Sequence, residues 1–226
     1  MVGLRLRDRA RPAPSPLTEV VRETIPLGGA AGATVELERP RSSEALLDED
    51  AFAHDEFLPY WAELWPSARA LARAVAARRL GGARVVELGC GLGLPALAAA
   101  QAGARVTATD WSPDALAFVA RNAALNGVAV ATAAVDWRAA GDLVALAPWD
   151  LVLAADVLYE ARNVAPLLEL LPRLAAEVLL ADPGRATAEP FFAAAAAAWD
   201  GSSWPDDAHP TVRVHRLRRR GGPAAP

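Results

Sequence analysis

The sequence predicts an α/β fold with a doubly wound, mostly parallel sheet. Segments with strand character alternate with segments of helical period over most of the chain, and such alternation is typical of parallel strands joined by right-handed helical crossovers. The segment at 150–155, DLVLAA, is almost wholly apolar, as a strand buried on both faces should be. With 226 residues and 53% hydrophobic content, the chain is large enough for one domain around one core.

The individual elements follow from apolar periodicity, capping residues and glycine or proline stops. Before the sheet, the sequence predicts a hairpin around a glycine-rich turn (17–25 and 34–38), a short acidic helix at 42–52, and a helix that begins at Pro66 and ends before Gly81 and Gly82. The sheet and its helices are then assigned to strand 84–88, helix 94–102, strand 105–109, a helix from the Ser112 cap to Asn126-Gly127, strands 129–135 and 150–155, helix 162–175, strand 177–181, helix 187–199 and a final strand at 211–217. Residues 200–209 are turn-rich, so this edge of the sheet is expected to be truncated.

The stretch 84–110 combines a strand, a glycine loop, a helix and a second strand. One carboxylate, Glu87, stands just before the loop, and another, Asp110, ends the second strand. Glycines let the backbone turn sharply and approach a ligand closely, because no Cβ intervenes, and the N–H groups of the following helix point into the same space. These glycines are Gly89, Gly91 and Gly93. The loop is therefore predicted to hold a ligand.

A dinucleotide is one candidate ligand, but its G-x-G-x-x-G/A fingerprint needs a small residue where this chain has Leu94. The spacing here is E-x-G-x-G-x-G, and Asp110 after the next strand could accept two hydrogen bonds from a ribose diol. A plain tight turn between strand and helix is the alternative without a ligand. The acids at both strand ends favour the ligand site.

Carboxylates are predicted at the C-terminal ends of four strands, namely at Glu87, Asp110, Asp136 and Asp156. Ligands of parallel α/β sheets bind beyond these ends. Isolated acids at strand ends are often turn formers, and for Asp156 a cap of the following helix is the alternative. Four in succession, two of them directly followed by a tryptophan, indicate one functional edge of the sheet.

The net charge of −4 is unevenly spread along the chain. Residues 1–11 carry +3 and residues 213–220 carry +5, which leaves −12 for the remainder. An acidic body favours a cationic ligand or substrate through its summed field, and it argues against nucleic acid as the main partner. A binding module that uses its arginine-rich ends to engage acidic partners is the non-enzymatic alternative.

Several other classes of protein are disfavoured. The single cysteine, Cys90, rules out an internal disulfide framework and is expected to be a small packed residue, and the three histidines show no metal-ligand spacing. The arginine- and proline-rich start lacks the apolar region of a signal peptide, and the longest apolar run, 88–104, is too short to span a bilayer. A cytoplasmic protein without a metal is predicted, and its oligomeric state is left open.

Residues 58–185 resemble class I S-adenosylmethionine-dependent methyltransferases. The glycine motif and its following acid are similar to motif I of that class. The aromatic segment YWAELWPSARALA, the D-x-x-Y sequence from Asp156 to Tyr159 and the D-P-G-R turn at 182–185 resemble the branch that methylates protein lysines, which includes enzymes acting on the electron-transfer flavoprotein β-subunit. The resemblance implies a Rossmann-like, doubly wound sheet of about seven strands with an antiparallel C-terminal strand and an N-terminal extension. The chain is accordingly divided into a disordered arm (1–16), an extension or lid (17–64), a methyltransferase domain (65–220) and a disordered tail (221–226).

The resemblance implies S-adenosylmethionine as cofactor, with S-adenosylhomocysteine as product, and gives roles to the matched positions. Gly89, Gly91 and Gly93 would pack against the methionine and ribose parts, Glu87 would face the amino group, and Asp110 would hold the ribose hydroxyls. Trp111 would flank the adenine, Asp136 would accept a hydrogen bond from its amino group, and Trp137 would pack on its ring. Trp65 would cover the methionine end, and Ala155 is placed among the cofactor-binding positions. The other C-terminal tryptophans, Trp149, Trp199 and Trp204, are expected to fill the core.

A protein lysine is the implied methyl acceptor. Methyl transfer is an in-line displacement at a sulfonium, so the enzyme mainly aligns a lone pair behind the methyl group and excludes water. A lysine must first lose a proton from a group whose reference pKa is about 10.4, and burial against aromatic rings lowers that pKa. Asp156 would orient the amine and Tyr159 would form a wall of the channel. A small-molecule amine is the alternative acceptor, since residues 17–57 could close over a pocket.

Overall fold

A computed structural model describes residue 17 and residues 19–28, 32–46 and 59–221. The predicted arm at 1–16, the continuation of the acidic helix beyond residue 46 and the tail after Gly221 lie outside these ranges. Of the acidic helix, the structure describes a 3-10 turn at Glu44–Leu46.

Among the described residues, seven of nine strands form one sheet, and the other two form a separate hairpin. The strands are β1 (Val20–Gly28), β2 (Ala33–Pro40), β3 (Arg84–Leu88), β4 (Arg105–Asp110), β5 (Val130–Ala134), β6 (Leu151–Ala155), β7 (Glu177–Asp182), β8 (Trp199–Pro205) and β9 (Arg213–Arg219). The order in the large sheet is β5-β4-β3-β6-β7-β9-β8. Strands β3 to β7 pair in parallel, whereas β9 is antiparallel to both of its neighbours. This topology confirms the predicted fold class, including the antiparallel C-terminal strand.

Helices cover both faces of the sheet. They are α1 (Pro66–Ala76), α2 (Leu94–Gln101), α3 (Pro113–Leu125), α4 (Gly141–Ala145), α5 (Val164–Leu174) and α6 (Glu189–Ala195). Successive strand residues point to opposite faces, so Val85 belongs to the core beneath α1, α2 and α3, and Val86 belongs to the core beneath α4, α5 and α6. Ser112 caps α3 as predicted, because its hydroxyl accepts a hydrogen bond from the Ala115 N–H at 3.3 Å.

The strand order reverses between β3 and β6. From β3 the chain continues outward through β4 and β5, and it then returns to build β6 on the other side of β3. A crevice opens beyond the carboxyl ends of the strands at such a switch point, and ligands of open α/β sheets bind there. The glycine loop follows β3, and Asp156 follows β6. The fold therefore brings these two distant parts of the sequence to one site.

The predicted hairpin is present and shares the core of the sheet. Its inward side chains Ile25, Leu27, Val35 and Leu37 are buried in the same cluster as α1, α2 and α3. The free edge of β2 is covered by two side chains of α3: Asn122 and Asn126 each bond both the N–H and the C=O of one strand residue. The division of the chain into an extension (17–64) and a domain (65–220) stays a prediction.

Three expectations near the C-terminus were wrong. Residues 199–205 form edge strand β8, so the sheet is not truncated there, and α6 ends at Ala195 rather than at Trp199. Strand β8 lacks apolar alternation because only its first residue is buried, and its pairing with β9 holds it in place. Trp204 lies on this strand and is 40% exposed, whereas Trp149 and Trp199 fill the core as expected.

In the part of the chain that the structure describes, no helix is long and apolar enough to cross a membrane. Among the same residues, no group of three or more histidines, cysteines and acids could hold a metal ion.

Candidate functional site

The three loop glycines all adopt left-handed backbone angles. Their φ values are 62° at Gly89, 50° at Gly91 and 79° at Gly93. A Cβ on Gly91 would lie 3.1 Å from the carbonyl oxygen of Trp61, and a Cβ on Gly93 would lie 2.8 Å from a methyl group of Val119. Glycine is therefore needed at these positions both for the turns of the loop and for its close packing on the rest of the protein. A role in ligand binding alone would not explain the second requirement.

Asp110 ties the end of β4 to the glycine loop. Its Oδ2 accepts a hydrogen bond from the Gly91 N–H at 2.9 Å, and its Oδ1 accepts one from the Ser112 N–H at 3.0 Å. Burial raises the pKa of this carboxyl, and the backbone N–H bonds oppose that rise. Each carboxylate oxygen can accept a second hydrogen bond. The Trp111 N–H also bonds this carboxylate, which leaves acceptor capacity for a ribose hydroxyl.

Glu87 is buried more deeply than its predicted role suggests. Its Oε2 accepts a hydrogen bond from the Ala96 N–H in the first turn of α2, at 2.8 Å. Burial raises the pKa of this carboxyl well above its usual range, and the nearby charge of Asp110 adds to the effect. A carboxyl in such surroundings ionises more readily when a cation lies beside it. Its contact with the amino group of a cofactor stays a prediction.

The residues expected around an adenine ring differ in exposure. Trp137 is half-buried and packs on the loop, so that a Cβ on Gly89 would lie 3.2 Å from its ring, while Trp111 is 49% exposed. Asp136 is exposed and accepts hydrogen bonds from the Arg138 guanidinium, which hold its pKa below the usual value. An adenine amino group would therefore share Asp136 with Arg138.

Three aromatic side chains form a wall at the other end of the site. The Tyr60 ring lies 5.4 Å from that of Tyr159 and 6.2 Å from that of Trp65, measured between ring centroids. The Trp65 indole N–H donates to the Tyr60 carbonyl at 2.9 Å. Burial raises the pKa of Tyr159, and the charges of Glu160 and Asp110 raise it further. Tyr60 was not singled out from the sequence, although it belongs to the aromatic segment quoted there.

Asp156 directly follows Ala155, the last residue of β6, and its backbone is held in an unusual conformation. Its φ of 57° makes it the one non-glycine residue with positive φ in the described chain, a conformation that costs about 1–2 kcal/mol and tends to cluster at functional sites. Its N–H donates to the Ala181 carbonyl at 2.8 Å. The next helical turn begins at Ala161 with Glu160 as its N-cap, so the capping alternative for Asp156 is wrong.

The carboxylate of Asp156 is buried and has two side-chain partners. Its Oδ1 accepts a hydrogen bond from Arg185 Nε at 2.5 Å, and its Oδ2 faces the Ser67 hydroxyl at 3.4 Å. Sequence analysis did not assign a role to Arg185 or Ser67. The D-P-G-R turn was the available signal for Arg185, and for Ser67 it was the aromatic segment at 60–72, to which Ser67 belongs.

Asp182 is a fifth strand-end carboxylate, at the end of β7, that the sequence analysis did not place in the site. It is 2% exposed, and its Oδ1 accepts hydrogen bonds from the Gly184 N–H at 2.7 Å and the Arg185 N–H at 2.9 Å. Its Oδ2 is buried without a hydrogen-bond partner among the described residues. Burial raises the pKa of this carboxyl. Asp182 thus fixes the turn from which Arg185 reaches Asp156.

The arginine-rich C-terminal strand is not an open basic patch. All five arginines of residues 213–220 have partners within the protein, and three arginines converge on the buried carboxylate of Glu177. The contacts are Arg78, Arg216 and Arg218 to Glu177, Arg213 to Ser203, Arg219 to the Pro172 carbonyl, and Arg220 to Asp200. This pairing weakens the case for a module that binds acidic partners through this end.

Comparison with known proteins adds independent observations. A family model described as lysine methyltransferase matches residues 60–196. The electron transfer flavoprotein beta subunit lysine methyltransferase of Danio rerio is 35% identical over 138 residues, which are 58% of this chain and 52% of that protein. The histone-arginine methyltransferase METTL23 of Xenopus laevis is 34% identical over 115 residues, or 48% of this chain and 49% of that protein. The chain thus spans about half the length of these curated relatives.

The fold also has solved neighbours. The 16S rRNA N2 G1207 methyltransferase RsmC of T. thermophilus, solved with AdoMet and guanosine, superposes with a TM-score of 0.65 at 15% identity. The alignment covers 94% of this chain and 53% of that one. At this identity the similarity concerns the fold alone.

Proposed function

The chain belongs to the lysine methyltransferase family, and from this premise we propose that it transfers a methyl group from S-adenosylmethionine to the side-chain amine of a lysine in a protein. Family membership confirms the predicted enzyme class and the predicted cofactor. The observation that carries the proposal is Asp156, a buried carboxylate at the switch point of the sheet beside an aromatic wall. A cytoplasmic location remains a prediction from the sequence.

The residues at the β3 and β4 ends suit the cofactor. S-adenosylmethionine supplies a methyl group on a positively charged sulfur, so the leaving group is already activated. Asp110 would accept from a ribose hydroxyl, while its present bonds hold the glycine loop in shape. Burial raises the pKa of Glu87, and a cationic amino group beside it would favour the ionised form and pair with it. The left-handed loop glycines give the loop its turns and let it pack closely on the protein around this site.

The residues at the β6 end suit an amine acceptor. A lysine amine entering beside Tyr60 and Tyr159 would be shielded from water, which lowers its pKa and favours the neutral, nucleophilic form. Asp156 Oδ2 would accept a hydrogen bond from the amine and fix the direction of its lone pair. The protein's contribution is thus alignment, desolvation and orientation of the amine, which are the main requirements of an in-line displacement.

A protein acceptor is favoured over a metabolite by the rim of the site. Tyr60 is 42% exposed and Trp111 is 49% exposed, so large apolar side chains flank the crevice on the outside. Exposed apolar groups around a polar site are typical of surfaces that a partner protein covers. The acidic body of the chain would attract a lysine-rich segment.

The proposal is tested with native-source lysate and S-adenosylmethionine labelled on its methyl group. We expect label in a protein fraction as methyl-lysine, and loss of labelling with Asp156→Ala while calorimetry shows unchanged cofactor affinity. Asp200→Ala, an exposed acid on the far edge strand, is the matched control and should label normally. Label confined to small molecules would favour the metabolite alternative, and no cofactor binding at millimolar concentration would remove the enzyme proposal.

A further inference from the structure

One edge of the Asp156 carboxylate is already occupied by a guanidinium. Arg185 Nε donates to Oδ1 at 2.5 Å, and the Arg185 side chain is itself about one-third exposed. On Oδ2 the Ser67 hydroxyl is 3.4 Å away, which is long for a hydroxyl hydrogen bond. Oδ2 is therefore the less engaged oxygen of Asp156, and Oδ1 can be approached only beside the Arg185 guanidinium.

Arg185 is held in this position from the neighbouring strand. Asp182 ends β7 and binds the N–H groups of Gly184 and Arg185 through one oxygen, which turns the chain back toward β6. The Asp156 N–H is bonded to the Ala181 carbonyl at 2.8 Å, so both acids are fixed to the same strand end. The hydrogen bond to Asp156 and the charges of Asp156 and Asp182 raise the pKa of Arg185, so this guanidinium is a permanent cation of the site.

This arrangement distinguishes between a lysine and an arginine side chain, the two methyl acceptors that the names of the relatives include. A guanidinium is recognised best by both oxygens of a carboxylate in a two-bond fork, and it enters with a full positive charge because arginine is not deprotonated in proteins. Here a two-bond fork would have to share Oδ1 with the Arg185 guanidinium, so two positive charges would meet at one oxygen. A lysine amine needs only one acceptor and can enter neutral, so the Arg185 charge does not repel it.

We propose that Arg185 is the specificity-determining residue of the acceptor site: by occupying Oδ1 of Asp156 it leaves a one-point site for a lysine amine and excludes arginine side chains. Asp182 is the positioning residue that holds Arg185 there. This inference rests on the proposed function and adds the residue that selects between the two acceptor chemistries.

The test uses the labelled-lysate reaction followed by acid hydrolysis and separation of methyl-lysine from methyl-arginine. The chain contains 23 arginines and no lysine, so methyl-lysine cannot come from self-labelling, which would appear as methyl-arginine in the enzyme's own band. Label in lysate without added enzyme is subtracted as background. Arg185→Gln removes the charge, Arg185→Lys keeps it without Nε, and Arg220→Gln removes the same charge at the far edge strand as a control. Cofactor affinity and melting temperature are measured for all variants.

For the wild type and Arg220→Gln we expect label as methyl-lysine, about tenfold or more above methyl-arginine, the factor for one hydrogen bond to a charged group. Arg185→Gln should lower the rate of methyl-lysine formation about 10- to 100-fold and reduce the ratio of methyl-lysine to methyl-arginine. Its cofactor affinity should be unchanged. Arg185→Lys should give a rate and a ratio between those of the wild type and Arg185→Gln.

Two results would overturn the role of Arg185 and leave the methyltransferase activity standing. One is predominantly methyl-arginine label from the wild type. The other is a wild-type rate of methyl-lysine formation and an unchanged ratio of methyl-lysine to methyl-arginine in Arg185→Gln. A wild type that binds no cofactor, or labels no protein, would refute the proposed function and the inference with it. The two failures are therefore distinguishable.

Discussion

Glycine is required at position 93 for two physical reasons that can be separated. Its φ of 79° is strained for any other residue, and a Cβ would approach Val119 to 2.8 Å. Gly127 has a similar φ of 64° but nothing within 4 Å of its added Cβ. The pair therefore separates backbone strain from steric overlap.

We expect Gly127→Ala to lower the free energy of unfolding by about 1 kcal/mol, the cost of a left-handed alanine. Gly93→Ala should cost about 1–3 kcal/mol more, because Val119 on α3 must also move. Chemical denaturation of both variants measures the difference. Equal losses would show that the Val119 contact is readily relieved.

Asp110 is the side chain on which the cofactor end depends most. We expect Asp110→Ala to weaken S-adenosylmethionine binding about 10- to 100-fold, because hydrogen bonds of a charged group to the ribose and to the Gly91 N–H are lost together. Asp142→Ala, an exposed acid on α4, is the control and should bind normally. Calorimetric titration gives both affinities, and normal binding by Asp110→Ala would remove this residue from the site.

Among the elements, the hairpin and α3 are connected by two asparagines whose spacing along the helix matches the spacing of their partners along strand β2. Two asparagines four residues apart on a helix are separated by about 6 Å along the helix axis. Two strand residues that are two positions apart are separated by about 6.8 Å along the strand, which is nearly the same distance. Asn122 therefore reaches Glu38 while Asn126 reaches Glu36. The helix side chains supply to β2 the hydrogen bonds that a third strand would otherwise provide.

Asn122→Ala should destabilise the protein by about 2–4 kcal/mol, because Asn122 is fully buried and both backbone groups of Glu38 lose their partner. Asn126→Ala should cost less, because water can reach that site more easily. Hydrogen exchange should show faster exchange of the Glu38 N–H in the first variant and of the Glu36 N–H in the second. Unchanged exchange would contradict the proposed role of the asparagines.

At the level of the whole chain, the carboxylates fall into two electrostatic groups. Burial raises the pKa of Glu87, Asp110 and Asp182. For Glu177 and Asp206 burial acts in the same direction, but hydrogen bonds from arginines overcome it and hold the pKa below the usual value. Glu177 and Asp206 therefore stabilise the folded chain at pH values above the ordinary pKa of a carboxyl. This stabilisation is lost as the pH falls through their lowered folded-state pKa values. Glu87, Asp110 and Asp182, whose pKa values are raised in the folded chain, lower the stability of the fold as the pH rises.

Glu87→Gln tests the first group. Below about pH 4.5, the ordinary pKa of glutamate, Glu87 is protonated in both folded and unfolded chains and the substitution should have little effect. As the pH rises above this value, the unfolded chain loses the proton while the folded chain retains it, so wild-type stability falls relative to the variant. We expect a melting-temperature advantage for cofactor-free Glu87→Gln that grows toward pH 8, with weaker cofactor binding. Parallel pH profiles would refute the raised pKa.

Local signals predicted much of the fold and part of the site. Strand 84–88 and the Ser112 cap were predicted at the observed residues, since apolar period and capping act over a few residues. Strand β8 was missed because its residues are exposed and only β9 holds them. Tyr60, Ser67 and Arg185 were not assigned to the site because their partners Tyr159 and Asp156 are distant in sequence. Asp182 was missed because its local turn matters only through the contact of Arg185 with Asp156.

The sequence by itself determined the α/β architecture, the glycine loop with its flanking acids and the family, because each of these depends on residue type at short, fixed spacing. Only the tertiary structure decided what surrounds the loop and what Asp156 can offer to an acceptor. Asp156 and Arg185 are 29 residues apart, and Asp156 and Ser67 are 89 apart. These contacts exist because strand order places the carboxyl ends of β3, β6 and β7 side by side, and that order is set by packing of the whole chain.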